Sequence, residues 1–371
     1  MALLGPRQCG KTTLARMLFR ASKIREITYF DLEDPRDLAR LADPILALEG
    51  LRGIIVIDEV QRSPELFPIL RVLADRPRTP ARFLLLGSAS PGLLRQSSET
   101  LAGRIRHLEL TPFHLGEVSG RNLRRLWIRG GFPKSYLARS ARASAEWRRD
   151  FVTTFLERDV GALGLNIPPS ALRRLWAMLA HCHGQTLNYS ELGRSLGASD
   201  TTVRRYAELL AGTFMIRALP PWHENLSKRQ VRSPKIYYRD SGILHTFLDV
   251  TSYQQLLAHP RIGASWEGFA VEEIIRAHGS GAEAYFWATQ QGAELDLLLV
   301  RGSQRAGFEI KHTSSPSVTK SMRIAMTDLR LARLTVVHPG RDEFPLAAGI
   351  VASGLDSIVA KIRSSGGRRR R

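Results

Sequence analysis

The first third of the chain alternates short, continuously apolar segments with helical ones. Five of these segments predict strands: "MALLG", "EITYFDL", "GIIVIDEV", "RFLLLGSAS" and "HLEL". Strands without polar alternation are buried on both faces, and strands separated by helices form parallel sheets. The pattern therefore predicts a parallel sheet with helices on both faces over residues 1–125, followed by a junction at "WIRGGFPKSYLA".

After the junction the pattern changes twice. Residues 141–219 carry apolar positions at three- and four-residue spacing, which is typical of helices. The remainder predicts an α/β fold, with a helix around "SWEGFAVEEIIRA" and strands at "AYFWAT", "ELDLLLV", "GFEIK" and "RLTVVHP". "SSGGRRRR" has the composition of a flexible basic tail. We therefore predict domains at 1–125, 126–240 and 241–363, and a tail at 364–371.

A glycine-rich loop, "GPRQCGKT", follows the first strand and opens the first helix. In that context the pattern predicts a phosphate-binding loop, because backbone N–H groups and the helix N-terminus face the phosphates. We expect Lys11 to reach the β- and γ-phosphates of ATP and the Thr12 hydroxyl to ligate Mg²⁺. The predicted nucleotide-binding residues are Gly5, Pro6, Arg7, Gln8, Cys9, Gly10, Lys11, Thr12 and Thr13.

The third strand, "IIVIDE", delivers two acidic residues at its carboxyl end, where ligands bind in such sheets. Asp58 is expected to complete the Mg²⁺ shell, and Glu59 to orient or deprotonate the attacking water. Ser88, after the fourth strand, is either a neighbour of the γ-phosphate or a turn residue. Arg104, in "LAGR", is either an arginine finger, supplied to a neighbouring subunit of a homo-oligomer, or an exposed turn residue.

Charge is concentrated in the middle of the chain. The net charge is +19, and residues 121–240 account for +12 of it, with 21 Lys and Arg against 9 Asp and Glu. A concentrated basic surface is typical of a protein that binds a polyanion, although arginines on solvated helix faces give the same count. Two cysteines indicate a reducing, cytoplasmic setting, and we find neither a signal peptide nor an apolar run long enough to cross a membrane.

The segment "YSELGRSLGASDTTVRRYAELL" has helix-turn-helix spacing, with "GAS" as the turn and Ser199 or Asp200 as the helix cap. Strands at "TFMIRALPPW" and "SPKIYYRD" then favour a winged helix that binds double-stranded DNA. A helical hairpin that contacts only protein is the alternative. The predicted DNA contacts are Thr201, Thr202, Arg204 and Arg205 on the second helix, with Lys228, Arg229, Arg232 and Lys235 between the strands.

A second charged pattern lies in "GAELDLLLVRGSQRAGFEIKHT". Glu309 and Lys311 share one face of a strand, and Asp296 lies on the strand that a short hairpin joins to it. With Glu267 on the preceding helix, these residues can gather Mg²⁺ and a lysine that stabilises a pentavalent phosphate. The alternative is a same-face Glu–Lys ion pair of low energy.

Taken together, the motifs identify a family. Over essentially its whole length the chain resembles the bacterial AAA-type ATPases with a C-terminal DUF4143 domain. The matching motifs are "GPRQCGKTTLA", "IIVIDEVQRSPELF", "FLLLGSAS", "LAGRIRHLELTPF", "RGGFP", "FLERDV", "NYSELGRSLGASDTTVRRYAELL", "SPKIYYRDSGILH", "SWEGFAVEE", "YFWATQQGAELDLLL" and "FEIK".

The resemblance implies that Lys11, Thr12, Asp58 and Glu59 handle ATP and Mg²⁺. It also implies a C-terminal fold similar to PD-(D/E)xK nucleases, with Glu267, Asp296, Glu309 and Lys311 at matching positions, but it does not imply cleavage. One departure is that only four residues precede Gly5, where members usually carry a longer segment that helps to form the adenine pocket. Either Met1 is an internal methionine or the base is held loosely.

We therefore expect Mg²⁺-dependent ATP hydrolysis coupled to DNA. An ATP-switched DNA-binding regulator and an ATP-gated nuclease remain as alternatives.

Overall fold

The computed structural model describes residues 1–21, 26–77, 81–88, 99–162, 167–224, 230–279 and 282–368. The chain divides into two compact units. The first unit comprises Met1–Pro112, Thr154–Pro169 and Arg205–Met215. The second comprises Phe113–Thr153, Ser170–Arg204 and Ile216–Arg371. Neither unit is continuous in sequence.

Helices occur throughout the described residues. In chain order they are α1 (Lys11–Ala21), α2 (Pro35–Arg40), α3 (Pro44–Glu49), α4 (Leu66–Ala74), α5 (Leu115–Val118), α6 (Leu123–Arg129), α7 (Pro133–Tyr136), α8 (Ala141–Thr154), α9 (Val160–Ala162), α10 (Pro169–His181), α11 (Tyr189–Leu196), α12 (Asp200–Gly212), α13 (Ser241–Phe247), α14 (Tyr253–Leu257), α15 (Ile262–His278), α16 (Lys320–Asp328) and α17 (Leu355–Arg368). Short 3₁₀ turns cover Val60–Arg62 and Gly120–Asn122, and a π-helical turn covers Phe155–Asp159. Within the described ranges, no helix combines the length and apolar character needed to cross a membrane.

The first unit is built on a five-stranded sheet. Its strands are β1 (Ala2–Leu4), β2 (Ile27–Asp31), β3 (Gly53–Asp58), β4 (Ala81–Gly87) and β5 (His107–Glu109). They lie in the order β2-β3-β4-β1-β5, and every neighbouring pair is parallel. The predicted parallel sheet is confirmed, and the carboxyl ends of all five strands meet at one edge.

Both faces of this sheet are buried. Successive residues of β3 alternate between two apolar clusters: Ile55 and Ile57 belong to one, and Val56 belongs to the other. Because side chains alternate along a strand, each cluster lies on its own face. This burial on both faces explains why the strand is a continuous apolar run in the sequence.

The second unit contains a small antiparallel sheet, with one strand before the helix pair α11–α12 and two strands after it. Its strands are β6 (Gln185–Thr186), β7 (Ile216–Leu219) and β8 (Lys235–Tyr238). They lie in the order β6-β8-β7, so β8 is the central strand and pairs on both edges. The two strands predicted to follow the helix pair are therefore present and adjacent.

A six-stranded sheet forms the rest of the second unit. Its strands are β9 (Glu283–Ala288), β10 (Glu294–Arg301), β11 (Gln304–Ile310), β12 (Leu334–His338), β13 (Glu343–Ala347) and β14 (Ile350–Gly354). They lie in the order β13-β14-β12-β11-β10-β9. β10 and β11 form the predicted hairpin, in which Gly302 turns the chain at φ 58°. β13 and β14 were not predicted.

The end of the chain differs from the prediction in part. Helix α17 continues to Arg368 and so includes the first five residues of the predicted flexible tail. Residues 369–371 lie outside the described residues.

Candidate functional site

The phosphate-binding loop, residues 5–10, joins β1 to α1 at the carboxyl edge of the first sheet. A Cβ atom on Gly5 would lie 2.2 Å from the carbonyl oxygen of Leu110, so only glycine fits there. Gly10 has φ +104°, which side-chain-bearing residues rarely adopt. The two glycines therefore serve the two ends of the loop for different reasons: one allows a close approach, and the other allows the turn into α1.

Lys11, the first residue of α1, is buried, with 5% of its surface exposed. Its Nζ donates to the carbonyl oxygens of Gly5, at 3.1 Å, and Pro6, at 3.0 Å. Both acceptors are neutral backbone groups of the loop itself. The ammonium is thus held at the phosphate-binding loop without a carboxylate partner among these bonds.

Thr12 and Asp58 come together as the sequence predicts. The Thr12 hydroxyl donates to Asp58 Oδ2 at 2.7 Å, and Asp58 Oδ1 accepts from the Glu59 N–H at 3.0 Å. The Tyr29 hydroxyl, on β2, donates to the same Oδ2. Burial, together with this bond to Asp58, raises the Tyr29 pKa. A hydroxyl beside a carboxylate is the oxygen donor set that Mg²⁺ prefers, so these residues fit the expected ion.

Glu59 occupies a strained position at the end of β3. Its backbone is left-handed, at φ 56° and ψ 41°, which is costly for a residue with a side chain. Burial raises the pKa of Glu59, and the nearby Lys11 opposes that rise. Gln61 donates to the Glu59 carboxylate and accepts from the Ser88 N–H at 3.1 Å. Among the described residues the buried Ser88 hydroxyl has no hydrogen-bond partner. Ser88 thus lies beside Gln61, the residue that contacts Glu59.

Arg7 has partners that the sequence did not suggest. Its guanidinium donates to Glu33 Oε1 at 2.9 Å and to the carboxylate of Asp159, in the π-helical turn. Arg158 and Arg62 also approach Glu33, at 3.3 Å and 3.6 Å. Burial raises the Asp159 pKa, and Arg7 opposes that rise. A residue of the phosphate-binding loop is therefore tied to a segment about 150 positions away in the chain.

Arg104 lies away from this site within its own chain. It precedes β5, and since the sheet is parallel it lies at the amino edge, opposite the phosphate-binding loop. Its guanidinium pairs with Asp75 and donates to the Ala102 carbonyl oxygen at 3.0 Å. The structure thus does not bring Arg104 to Lys11, Asp58 or Glu59.

The helix pair α11–α12 has the local geometry of a tight turn. Gly197 ends α11 at φ 72°, and the Ser199 hydroxyl caps α12 by accepting from the Thr202 N–H at 3.1 Å. Thr201, Arg204 and Arg205 are exposed, and Thr202 is half-buried. The Arg204 guanidinium lies 4.2 Å above the ring of Tyr189. The second helix therefore presents a polar and basic face.

The four residues predicted to contact DNA between β7 and β8 differ in where the structure places them. Arg232 is exposed. Lys228 and Arg229 lie outside the described residues. Lys235 is 4% exposed and surrounded by carboxylates, so its prediction as a phosphate contact is wrong. Its position in the central strand of a sheet is the physical reason, because a central strand is buried by its neighbours.

The four residues predicted for the C-terminal centre converge. Glu267 comes from α15, Asp296 from β10 and Glu309 from β11, and Lys311 directly follows β11. Lys311 Nζ pairs with Glu309 Oε1 at 2.8 Å. The Ile310 N–H donates to Asp296 Oδ2 at 2.9 Å.

Two further residues, Lys235 and Glu294, join this group through Lys235 Nζ. We call these six residues the C-terminal charged cluster. Burial, and then the charge of Asp296, raises the pKa of Glu267 to about 7 and that of Glu309 to about 8.

The fold and the first site define a P-loop nucleotide-binding protein. Residues 1–119 match the domain family described as "AAA domain", residues 120–254 a domain of unknown function (DUF8612), and residues 262–358 another (DUF4143). An uncharacterized protein of Mycobacterium tuberculosis is 51% identical over 357 residues, which cover 96% of this chain and 80% of that protein. An uncharacterized protein of Mycobacterium bovis gives the same values. The chain belongs to the family of AAA-type ATPases with a C-terminal DUF4143 domain, as its motifs predict.

Solved structures overlap the chain less closely. A variant of RuvB from Thermotoga maritima gives a TM-score of 0.28 at 20% identity, over 59% of this chain and 81% of that chain. Drosophila ORC bound to GC-rich DNA and Cdc6 gives 0.22 at 10% identity, over 67% and 85%. Overlaps of this extent do not define a fold. The fold of the first unit is defined by its strand order.

Proposed function

We propose that the protein hydrolyses ATP with Mg²⁺ and couples this reaction to double-stranded DNA. The observation that carries the proposal is the 2.7 Å hydrogen bond between Thr12 and Asp58, next to Lys11, where β1 and β3 end. A hydroxyl, a carboxylate and an ammonium at the end of a phosphate-binding loop are the groups that a nucleoside triphosphate with its metal ion requires.

Each residue has a distinct role in this proposal. The loop N–H groups and Lys11 bind the phosphates, and Thr12 and Asp58 hold Mg²⁺. When bound, Mg²⁺ offsets negative charge on the phosphate oxygens. Glu59 orients the attacking water and accepts its proton, a task that its raised pKa favours. Gln61 fixes Glu59 and the backbone of Ser88.

The DNA contact is proposed for the helix pair α11–α12 with strands β7 and β8, acting as a winged helix. The start of α12 presents Thr201, Arg204 and Arg205, the kind of surface that reads a major groove. The excess charge of +12 over residues 121–240 supports a polyanion partner. Two free cysteines accord with the cytoplasm as the place of action.

A second candidate is an ATP-switched DNA-binding regulator with slow hydrolysis. The contacts of Arg7 favour it. The γ-phosphate of ATP would compete with Glu33 and Asp159 for this guanidinium, so nucleotide binding would loosen the π-helical turn. In that case ATP changes DNA affinity more than DNA changes turnover.

Steady-state ATP hydrolysis with Mg²⁺, with and without duplex DNA, tests the proposal beside Lys11→Ala. We expect hydrolysis that DNA stimulates and that Lys11→Ala removes. Hydrolysis that DNA leaves unchanged would remove the coupling. ATP-dependent DNA affinity with negligible turnover would favour the regulator.

A homo-oligomer would give Arg104 a role, because this residue is remote from the site of its own chain. If Arg104 acts as a finger in a neighbouring subunit, Arg104→Ala abolishes turnover while nucleotide binding, measured by fluorescence titration, survives. Loss of binding together with turnover would contradict that role.

A further inference from the structure

Lys235 lies within the group of carboxylates that a divalent cation would need. Its Nζ is 3.3 Å from Glu267 Oε1 and 3.3 Å from Asp296 Oδ1, and it also pairs with Glu294. Only 4% of the residue is exposed. A cation already occupies the point at which three carboxylates meet.

The backbone fixes the position of Lys235 in its strand. Lys235 belongs to β8, where it pairs with Leu219 of β7 on one side and Thr186 of β6 on the other. Two residues on, and therefore on the same face of the strand, the Tyr237 hydroxyl donates to Glu267 Oε1 at 2.6 Å. The strand thus directs the Lys235 side chain toward the carboxylates, and the contacts of Nζ with them hold the ammonium there.

Each of three carboxylates in the cluster, those of Glu267, Asp296 and Glu309, already contacts a positively charged lysine of this chain. Glu267 Oε1 accepts from both Tyr237 and Lys235. Asp296 accepts from Lys235 through Oδ1 and from the Ile310 N–H through Oδ2. Glu309 pairs with Lys311 through Oε1, and its buried Oε2 has no partner in the described part of the chain. Lys235 and Lys311 therefore stand among the oxygens from which a divalent cation would draw part of its shell of six or more.

The pKa of Lys235 also indicates a charged ammonium at this position. Burial opposes the charge of Lys235, yet Tyr237, Asp296 and Glu267 raise its pKa well above the ordinary value.

We propose that the Lys235 ammonium is a resident cation of the C-terminal charged cluster and takes the position of a divalent metal ion, so that this nuclease-like centre binds no metal and cuts no DNA. The residues present do not fit the metal that a nuclease of this architecture requires. The C-terminal sheet then serves as a scaffold, and an ATP-gated nuclease is excluded as the activity of this chain. The inference does not depend on ATP hydrolysis.

Binding of Mn²⁺ alone, without nucleotide, tests this on the full-length protein by electron paramagnetic resonance. We expect the wild type and Asp296→Asn to bind the same number of ions, because any binding near Asp58 is common to both. A wild-type ion that Asp296→Asn removes would overturn the proposal. So would cutting of supercoiled plasmid with Mg²⁺ that Asp296→Asn abolishes.

Lys235→Met then tests the resident cation directly. We expect this variant to gain one Mn²⁺, and its melting temperature to rise with added Mn²⁺ by more than that of the wild type does. Adding Asp296→Asn to Lys235→Met should remove the gain. A folded Lys235→Met that gains no Mn²⁺ would overturn the assignment of Lys235 to the metal position. If Lys235→Met does not fold, the comparison of wild type with Asp296→Asn decides alone.

Discussion

Each unit of the molecule contains a buried lysine in a charged site, and the two lysines differ in their partners. Lys11 is 5% exposed and donates to two backbone carbonyl oxygens. Lys235 is 4% exposed and contacts three carboxylates. The residue type and the burial are the same, but one ammonium is bound by neutral groups and the other by anions.

This difference separates a binding group from a structural one. An ammonium that leaves neutral carbonyls for a phosphate strands no charge, so Lys11 is free to change partners when a nucleotide binds. If the Lys235 ammonium left, the buried Asp296 carboxylate would lose its counter-ion, as would the partly exposed carboxylates of Glu267 and Glu294, and an uncompensated buried charge is costly. The partners of a buried lysine therefore indicate whether it recognises a ligand or closes a site.

The largest effect is expected for the stability of Lys235→Met. Removing one partner of a buried ion cluster costs about 3–5 kcal/mol, because the remaining charges stay buried without a counter-ion. Lys311→Met is the comparison, since the Lys311 side chain is 39% exposed and solvent screens its pair with Glu309, so its removal should cost less than that of Lys235. Urea unfolding of both variants measures the difference, and equal losses would contradict the structural role of Lys235.

The next effect is expected for the activity of Lys11→Ala. ATP hydrolysis should fall by about 100- to 1000-fold, the loss typical of one preorganised charge or donor at a reacting group. The free energy of unfolding should change by only about 1 kcal/mol, because the carbonyls left behind are neutral. Hydrolysis assays and urea unfolding on the same sample check both parts. If Lys11→Ala retained hydrolysis, Lys11 would not be the ligand-binding lysine that distinguishes it from Lys235.

A smaller effect is expected from pH through Glu309. Its pKa is about 8 in the folded protein, above the ordinary value of 4.5, so the folded state holds the proton more tightly than the unfolded state. The contribution of Glu309 to the free energy of unfolding is therefore greatest below about pH 4.5. Between about pH 4.5 and about pH 8 it falls by about 1 kcal/mol per pH unit.

The variant Glu309→Gln resembles the protonated side chain at every pH. It should flatten the dependence of unfolding free energy between about pH 6 and about pH 8. Parallel curves for wild type and variant would show that Glu309 ionises normally.

The smallest effect is expected at the helix pair. Arg204→Ala should weaken duplex binding by about tenfold and reduce the slope of log affinity against log salt by about 1. Arg142→Ala is the control, an exposed arginine on α8 that pairs with Glu146 and lies outside the helix pair. Fluorescence anisotropy over a range of salt concentrations measures the slope. An equal change in both variants would indicate only a general effect of charge.

Local patterns predicted the first sheet and most of its site. β1 and β3 and most of β4 are contiguous apolar runs, and the phosphate-binding loop and Asp58 follow directly from strand ends. The position of Arg104 also follows from the pattern, since a residue before a parallel strand lies at the edge opposite the loop. That consequence of parallel topology was not drawn from the sequence.

Contacts between distant segments could not be predicted in the same way. Asp159 is 152 positions from Arg7, and Lys235 is 61 positions from Asp296. Nothing in "FLERDV" or "SPKIYYRD" identifies such partners, and the basic surroundings of Lys235 suggested DNA instead. Glu33 had a weak signal, because it follows β2 at the same edge of the sheet as Asp58.

The first unit draws on three stretches of sequence, and the AAA match covers only the first of them. A fragment that ends at residue 119 would keep Lys11 and Asp58 but lose Asp159, the partner of Arg7, and Phe214, which packs against the core. The segment that is homologous to other AAA domains is thus smaller than the segment that folds. A segment cut at the border of that match would carry an incomplete first unit.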